Sequence, residues 1–482
     1  MVRRAALLIV LSLLLAASAE AANWKRAGAI TDGGAFPVDA TVDREGDAVI
    51  AWQDERGLLE RARPRGGPLT PKRTMTPAAR EAPPVVGNAG GEALQAWDEG
   101  APGGTDTVRE VATLRPAGGE FGQPQTLYET TPGERICQQA SAMSASGEAI
   151  DVFTVSTLGA RDQLACRVYA AVRSPGASQF ADPVQLSDAT ARTLQVALDD
   201  RGNGLVAWGD RLVHDIVVVR HPAGGGFEPA QTLGVPGEFA APGAGGPLML
   251  RVSPGTGRAI IAFPTQGERS FTVAAAVGDT QTGFGPAGRI SMGAASRFDL
   301  AAGAEGTLAI AWRGTSQLKR ARVARLAPSV SSLSKADRAT FPGLHAVEVA
   351  VAVGDTGRVT VAWARLIAHG HHRSVEAATA PPSRQFTRPQ TLSDQGEHLL
   401  AALQLATSST GSQFLTWLEG KAGHQSVHWA RAPAGTGKFG SAHPLARGER
   451  GIGAELYRGA RGAMLLVLQQ DDAWRLFTFG ER

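Results

Sequence analysis

The sequence predicts an all-β fold, a single closed ring of about nine four-stranded units in which the first strand of the chain completes the last unit. Three observations carry this. A run read as Gly46-Asp47-Ala48-Val49-Ile50-Ala51-Trp52 returns at Gly91 to Trp97, Gly202 to Trp208, Gly306 to Trp312, Gly357 to Trp363 and Gly411 to Trp417. Weaker copies end in Phe153, Phe263 and Leu468, giving nine copies spaced by 45 to 56 residues. Each copy sits in the same local pattern of strands and turns, and the two ends of the chain complement one another.

The pattern is clearest in the second unit. Gly91 to Trp97 is followed by a variable loop, a strand from Val108 to Arg115, the turn Pro116-Ala117-Gly118-Gly119 and a strand from Phe121 to Leu127. The fourth unit repeats it with Ile216 to Arg220, Pro222 to Gly226 and Phe227 to Leu233, and the seventh with Val375 to Ala380 and Phe386 to Leu392. An apolar strand precedes each Trp strand. Four short strands per unit of about 50 residues are the mark of propeller blades. The Trp strand fits a blade interior, because Ala48, Ile50 and Trp52 point one way, Val49 and Ala51 the other, and both faces are apolar. The repeated Trp residues therefore read as core.

Closure follows from an internal alignment. Residues 24–52 match residues 284–312 without a gap, Trp24 falling on Phe284, Ile30 on Ile290, Asp39 on Asp299 and Trp52 on Trp312. Trp24 to Thr31 is then a fourth strand with no unit before it. At the other end Gly462 to Leu468 and Trp474 to Phe479 supply second and third strands and no fourth. The N-terminal strand closes the ring and removes the open edges of an array. The least regular stretch is Ala327 to Thr340, where the sixth unit's fourth strand is placed near Val330 to Leu333.

Composition agrees with many strands and turns: Gly 59, Pro 28 and charged residues at 19%. Arg3 and Arg4, the apolar run Ala5 to Ala17 and small residues up to Ala21 read as a signal peptide over residues 1–21, with the propeller in 22–482. The chain is expected to be secreted, either extracellular or kept in the cell envelope. The apolar run is too short to span a bilayer comfortably and no second candidate follows, so no membrane span is expected. Removal of the leader leaves 46 basic and 44 acidic groups, a net +2 without a basic stripe. That excludes an electrostatic nucleic-acid binder. A monomeric ring is expected.

Within a blade, the first-to-second and third-to-fourth turns share one face of the ring. Here they are short, as in Asp43-Arg44-Glu45-Gly46, and Asp and Gly serve the turns. The second-to-third loops and the blade connections share the other face and are long, as in Asp98 to Asp106, Thr154 to Gln163 and Ala364 to Arg373. Loops on a rigid scaffold are where binding residues collect. The candidate binding residues are therefore the charges around each Trp strand's end: Asp54, Glu55, Asp98, Glu99, Asp210, Arg211, Arg313 and Arg365, with Glu419 in the same place. Either they rim a polar pocket over the channel or they are solvated loop charges.

Cys137 and Cys166, the only cysteines, read as a disulfide in a secreted chain. Mid-strand positions on first and third strands would lie about 9.5 Å apart, too far to bridge. The alignment instead puts Cys137 before a first strand and Cys166 at the start of a third, where loops meet. His369, His371 and His372 crowd one loop; neighbouring imidazoles rarely converge on one ion without distant partners, so no metal and no cofactor is assigned. Gly-x-Ser-x-Gly, His-Glu-x-x-His, a phosphate loop and an EF-hand are all missing. No local sequence points to a Ser/His/Asp arrangement, though residues from different blades could assemble one.

Over residues 24–482 the chain resembles secreted bacterial β-propeller repeat proteins. Asp43…Gly46…Trp52 is similar in outline to the sialidase repeat Ser-x-Asp-x-Gly-x-Thr-Trp, a turn and then an aromatic. Here the aromatic comes six residues after Gly, Ser and Thr are missing, and Phe/Tyr-Arg-Ile-Pro is absent. Sialidases use a Tyr nucleophile. This chain has Tyr128, Tyr169 and Tyr457, with Tyr457 near Glu455 on a strand of the last blade; no catalytic residue carries over. The leading expectation is a non-catalytic extracellular propeller that binds a protein or glycan partner through its variable face. The alternative is a glycoside-acting hydrolase or lyase, which predicts two carboxyl groups about 5–10 Å apart across the channel mouth. Binding predicts exposed aromatics instead, Trp429 being one to inspect.

Overall fold

A strand that is apolar on both faces needs a cover on each side, and the structure supplies one. In the computed structural model Ala48 to Trp52 are buried without interruption, and so are Gly204 to Asp210. Described are residues 24–31, 38–81, 84–100, 107–158, 164–188, 191–210, 215–234, 238–239, 248–266, 271–291, 297–314, 320–341, 346–367, 372–394, 399–421, 424–448, 454–458, 464–470 and 473–479. They form nine antiparallel sheets, each with four strand positions. Blade 1 is Val38–Val42, Ala48–Asp54, Gly57–Arg63 and Arg73–Thr76, in that order from first to fourth strand. Blades 2 and 5 have divided strands: Ala79–Glu81 and Val86–Gly87 share one edge of Ala93–Gly100, and Glu238–Phe239 and Met249–Val252 share one edge of Arg258–Gln266. The first strands touch their neighbours all the way round. Val38–Val42 meets Val86–Gly87 on one side and Ala454–Arg458 of blade 9 on the other, which closes the ring.

The closing strand is the N-terminal one. Trp24–Ala29 pairs antiparallel with Ala473–Phe479, Trp24 opposite Phe479 and Ala29 opposite Arg475. Ile30 N–H donates to the Trp474 carbonyl at 2.7 Å. Ile30 is fully buried in one cluster with Trp52 and Leu59 of blade 1 and Leu465 and Trp474 of blade 9. Trp24 meets Trp429 edge-on at 6.0 Å and Phe414 at 6.2 Å, tying blade 9 to blade 8. Trp429 is thus buried core at this seam, not an exposed aromatic.

A second device joins blades near their outer edges. The Gln of the repeated Gln-Thr-Leu grips the backbone of the next blade's Phe with both ends of its amide. Gln125 donates to the Phe180 carbonyl at 2.9 Å and accepts from Phe180 N–H at 2.8 Å. Gln231 does the same to Phe284 at 2.6 and 3.0 Å, and Gln390 to Phe439 at 2.7 and 3.0 Å. Arg73 fills the slot in blade 1 and donates to the Phe121 carbonyl at 2.6 Å. In blade 3 the slot holds Val184, an exposed aliphatic side chain.

The short-turn face is built as the sequence implies. Asp43 Oδ1 accepts from the N–H groups of Glu45, Gly46 and Asp47 within 2.9 Å, and Gly46 takes φ 94°, a region open to glycine. The sixth blade differs from expectation. Its fourth strand is Asp337–Thr340, and Leu333–Lys335 is a 3₁₀ turn. Leu333 packs into the core cluster beside Ile260 and Leu308, and Arg258 holds the Ala327 carbonyl at 2.9 Å and the Val330 carbonyl at 2.5 Å, so this stretch anchors instead of pairing.

Deleting residues 23–31 removes the closing strand and the burial of Ile30, worth about 1.5–3 kcal/mol by itself. The truncated ring is expected to melt well below the parent in calorimetry; equal melting would mean that the strand does not close it. Gln231→Ala is expected to cost about 1–3 kcal/mol in urea unfolding, since it strands the Phe284 amide groups, and Val184→Gln to gain about 0.5–1.5 kcal/mol.

Candidate functional site

The loops expected beyond the Trp strands are partly strand. Blade 3 keeps pairing through Ser156 opposite Cys166 and Leu158 opposite Leu164, and blade 7 through Arg365 opposite Ser374 and Ile367 opposite His372. Side chains two residues apart on a strand share a face. Each Trp, the residue two further on and their two partners on the third strand therefore make a four-membered patch at this end of the blade.

The expected site residues fall on or beside these patches. Asp54 caps a tight hairpin turn, accepting from Arg56 N–H at 2.8 Å, with Glu55 exposed in that turn. Asp98 and Asp210 are buried. Arg313 is half-buried, and burial, with Arg297 beside it, pushes its guanidinium pKa down. Arg211 lies outside the described residues, as do His369 and His371, while His372 opens the strand His372–Ala380.

Glu99 and Arg365 show what the patches do. Trp97 donates its indole N–H to Glu99 at 2.9 Å, and Arg109 meets the other oxygen of that carboxylate at 2.5 Å. In blade 7 the acid sits on the third strand: Trp363 donates to Glu376 at 2.9 Å, and Arg365 pairs with Glu376 at 3.0 Å. Each rim carboxylate thus meets an indole and a guanidinium of its own blade, and Glu99 also accepts from the Thr76 hydroxyl of blade 1 at 3.0 Å. The indoles of Trp52, Trp208 and Trp312 find no acceptor among the described residues, so a carboxylate is not required to hold a repeat Trp.

Blade 8 keeps the two donors of blade 2 and departs in what faces them on the third strand. Trp417 donates to Glu419 Oε2 at 3.0 Å, and Ser393 of blade 7 donates to the same oxygen at 2.7 Å. Where blade 2 has Arg109 opposite Glu99, blade 8 has Ser426 opposite Glu419, and His428 stands opposite Trp417. Ser426 Oγ lies 2.8 Å from His428 Nε2, and His428 Nδ1 lies 4.0 Å from Glu419 Oε2. The imidazole stacks over the Trp417 ring at 5.9 Å, which fixes its plane. A cavity of ≈ 780 Å³ opens here between the blades, lined by Gln390 and Ser393 on one side and Glu419, His428, Lys438 and Ser441 on the other. Sequence inspection missed this group because its members come from both arms of one hairpin. The one available signal was Ser426-x-His428, a spacing that puts both side chains on one strand face.

A second cavity, ≈ 590 Å³, lies at the closing seam among Lys25, Arg26, Arg63 and Arg65. Tyr457 also sits near the seam. Its hydroxyl lies 2.9 Å from Asp39 Oδ1 of blade 1 and 2.5 Å from Glu455 Oε2, and its single proton serves one of these carboxylates at a time. Burial, with those two carboxylates, raises its pKa, the reverse of what a nucleophilic phenol needs. Burial also pushes Asp39 up to about 6. Glu110 and Asp151, both fully buried between blades 2 and 3, are raised by burial as well, Asp151 to about 6.

The disulfide expectation is corrected: Cys137 and Cys166 are free thiols. Cys137 lies inside the first strand Glu134–Met143, at a bulge between Ile136 and Gln138, not in a loop before it. Cys166 is on the third strand, and the second strand's Ser156 stands between them. Cys137 Sγ reaches Ser156 Oγ at 3.0 Å. Hydrogen bonding from the Cys166 thiol, with help from Ser156 and Arg135, lowers the Cys137 pKa to about 6.

No protein-family model matches the chain, and no curated protein matches it. Solved structures with a similar fold include an ulvan lyase described as a new polysaccharide lyase family, 10% identical over 95% of this chain and 96% of that one, with a TM-score of 0.42. A puromycin hydrolase is 18% identical over 81% of this chain and 59% of that one, TM-score 0.40. The β-propeller domain of the Trilobed protease from Pyrococcus furiosus is 8% identical over 75% and 96%, TM-score 0.35. Nothing of their activities transfers at this distance.

Two measurements check the electrostatics. A carboxyl raised from 3.8 to about 6 binds its proton more tightly when folded, so stability is lost as pH rises from about 4 to 6. Asp39→Asn keeps the acceptor for Tyr457 and removes that loss: the variant should be the more stable at pH 7, and its advantage should vanish by pH 4. Never-reduced protein should show both thiols to Ellman's reagent, with Cys137 alkylation by iodoacetamide half-maximal near pH 6; a mass corresponding to an internal disulfide would contradict the free-thiol assignment.

Proposed function

We propose that the ring is an extracellular binding propeller that takes a glycan in the cleft between blades 7 and 8. The observation that carries this is the cleft's lining. Ser393, Ser441, His428, Glu419, Lys438 and the Gln390 amide set donors and acceptors around a cavity of ≈ 780 Å³. A hydroxyl-rich ligand needs many modest hydrogen bonds in a preformed concave site, and a ring stapled on both sides of the cleft provides it without reordering. The leader read in residues 1–21 supports the extracellular placement. A glycoside-cleaving role has less support, because two of the carboxylate pairs among the described residues are unsuited to it: Glu110 and Asp151 are fully buried, and Asp39 and Glu455 share the Tyr457 hydroxyl.

The test is a glycan array probed with residues 22–482, followed by calorimetric titration of the best hit. Ser441→Trp fills the cleft from an exposed position and should abolish binding at unchanged melting temperature. An array without hits, or a hit that Ser441→Trp leaves at full affinity, overturns the reading.

A further inference from the structure

We propose that Ser426, His428 and Glu419 form a hydrolytic centre for carboxylic esters of polar alcohols, beside the blade 7–8 cleft that His428 and Glu419 line. Only the sugar nature of the alcohol rests on the binding reading above. The geometry is that of a nucleophile, a base and an orienting acid. Ser426 Oγ is 2.8 Å from His428 Nε2, within reach of direct proton transfer. The other ring nitrogen faces Glu419 Oε2 at 4.0 Å, an ion-pair distance that closes to a hydrogen bond with a shift of about 1 Å, as catalytic contacts commonly tighten on binding. Glu419 is aimed by two donors that do not take part, the Trp417 indole and the Ser393 hydroxyl.

The comparison among blades is what makes the group informative. Blades 2 and 7 each neutralise the carboxylate beside the Trp with an arginine, Glu99 with Arg109 and, from the opposite strand, Glu376 with Arg365. A purely structural patch in blade 8 would need no more than that. In place of a permanent cation it has a hydroxyl and a titratable ring, in register with the positions its sister blades use. His428 and Glu419 also line the cavity, while the corresponding pairs in blades 2 and 7 line neither cavity described above.

The step balances within these residues and water. Ser426 Oγ–H has two acceptors, His428 Nε2 and the Glu419 carbonyl at 3.2 Å. With the proton directed to Nε2, the oxygen attacks the ester carbonyl and the proton passes to the imidazole. The C–O bond to the alcohol breaks, His428 returns that proton to the departing alkoxide, and an acyl-serine remains. Water then adds with His428 as base, releasing the carboxylic acid and restoring Ser426. Glu419 is a positioning residue that steadies the imidazolium.

The experiment labels residues 22–482 with a fluorophosphonate probe and maps the adduct by tandem mass spectrometry. Labelling is expected on Ser426, at least 10-fold slower in His428→Gln, with p-nitrophenyl acetate turnover falling at least 100-fold in Ser426→Ala. Glu419→Gln keeps the acceptor for Trp417 and should move the rising limb of the pH–rate profile to lower pH, since the imidazolium loses its anion. A folded parent without an adduct at Ser426, or one labelled equally fast in His428→Gln, overturns the proposal. Acetate release from O-acetylated xylan by the parent and not by Ser426→Ala supports it with the glycan as alcohol. Adduct and p-nitrophenyl turnover without any glycan binding leave the esterase standing and remove the glycan reading; glycan binding without an adduct does the reverse.

Discussion

The constraint on which the molecule depends is that no blade can cover itself. Each Trp strand is apolar on both faces, so each sheet leaves a hydrophobic surface that only another sheet can bury. Nine such sheets have one way to leave no face open, which is to meet end to end. The pairing of Trp24–Ala29 with Ala473–Phe479 does this, and Trp24 and Phe479 of that pair each pack on both Phe414 and Trp429 of blade 8. Polar links supplement the burial. The glutamine amides join outer edges, Gln138 and Gln404 accept from Leu194 and Leu456 N–H between inner strands, and Tyr457 to Asp39 crosses the seam.

Rigidity of this kind determines what the variable face can offer. The cleft between blades 7 and 8 is bounded by the Gln390 to Phe439 grip, so its walls are held at a fixed separation by the same device that builds the ring. Within it, Glu419 is fixed by a residue of each blade. A site assembled across such a joint needs no lid and no ordering on binding, which suits a ligand recognised by many weak contacts.

The fold was legible in the sequence because it is written many times over. Turn residues at fixed offsets, apolar strands and the match of residues 24–52 to 284–312 give the blades, their order and the closure. What could not be read was where strand ends and loop begins on the variable face. Cys137 looked like a loop residue because the alignment has no way to register a bulge, and Val330 to Leu333 looked like a strand because both ends of that run are apolar. The candidate site was less legible still. Charges beside each Trp were visible, but Glu99 and Arg365 find their partners by strand pairing, and Ser426 and His428 are short side chains in an unremarkable run. Their chemistry exists only once the hairpin places Glu419 opposite.

The glutamine grip has a consequence for assembly. It holds only main-chain N–H and C=O groups, which every blade presents alike, so it cannot tell one neighbour from another. A growing chain could dock the wrong pair of sheets with the same two hydrogen bonds. Correct order must come from contacts that exist once, such as Trp24 against Trp429 or Tyr457 against Asp39, and these form only when both ends of the chain are present. The molecule joins a generic adhesive between blades to a single keyed joint, and the key is the last piece to engage.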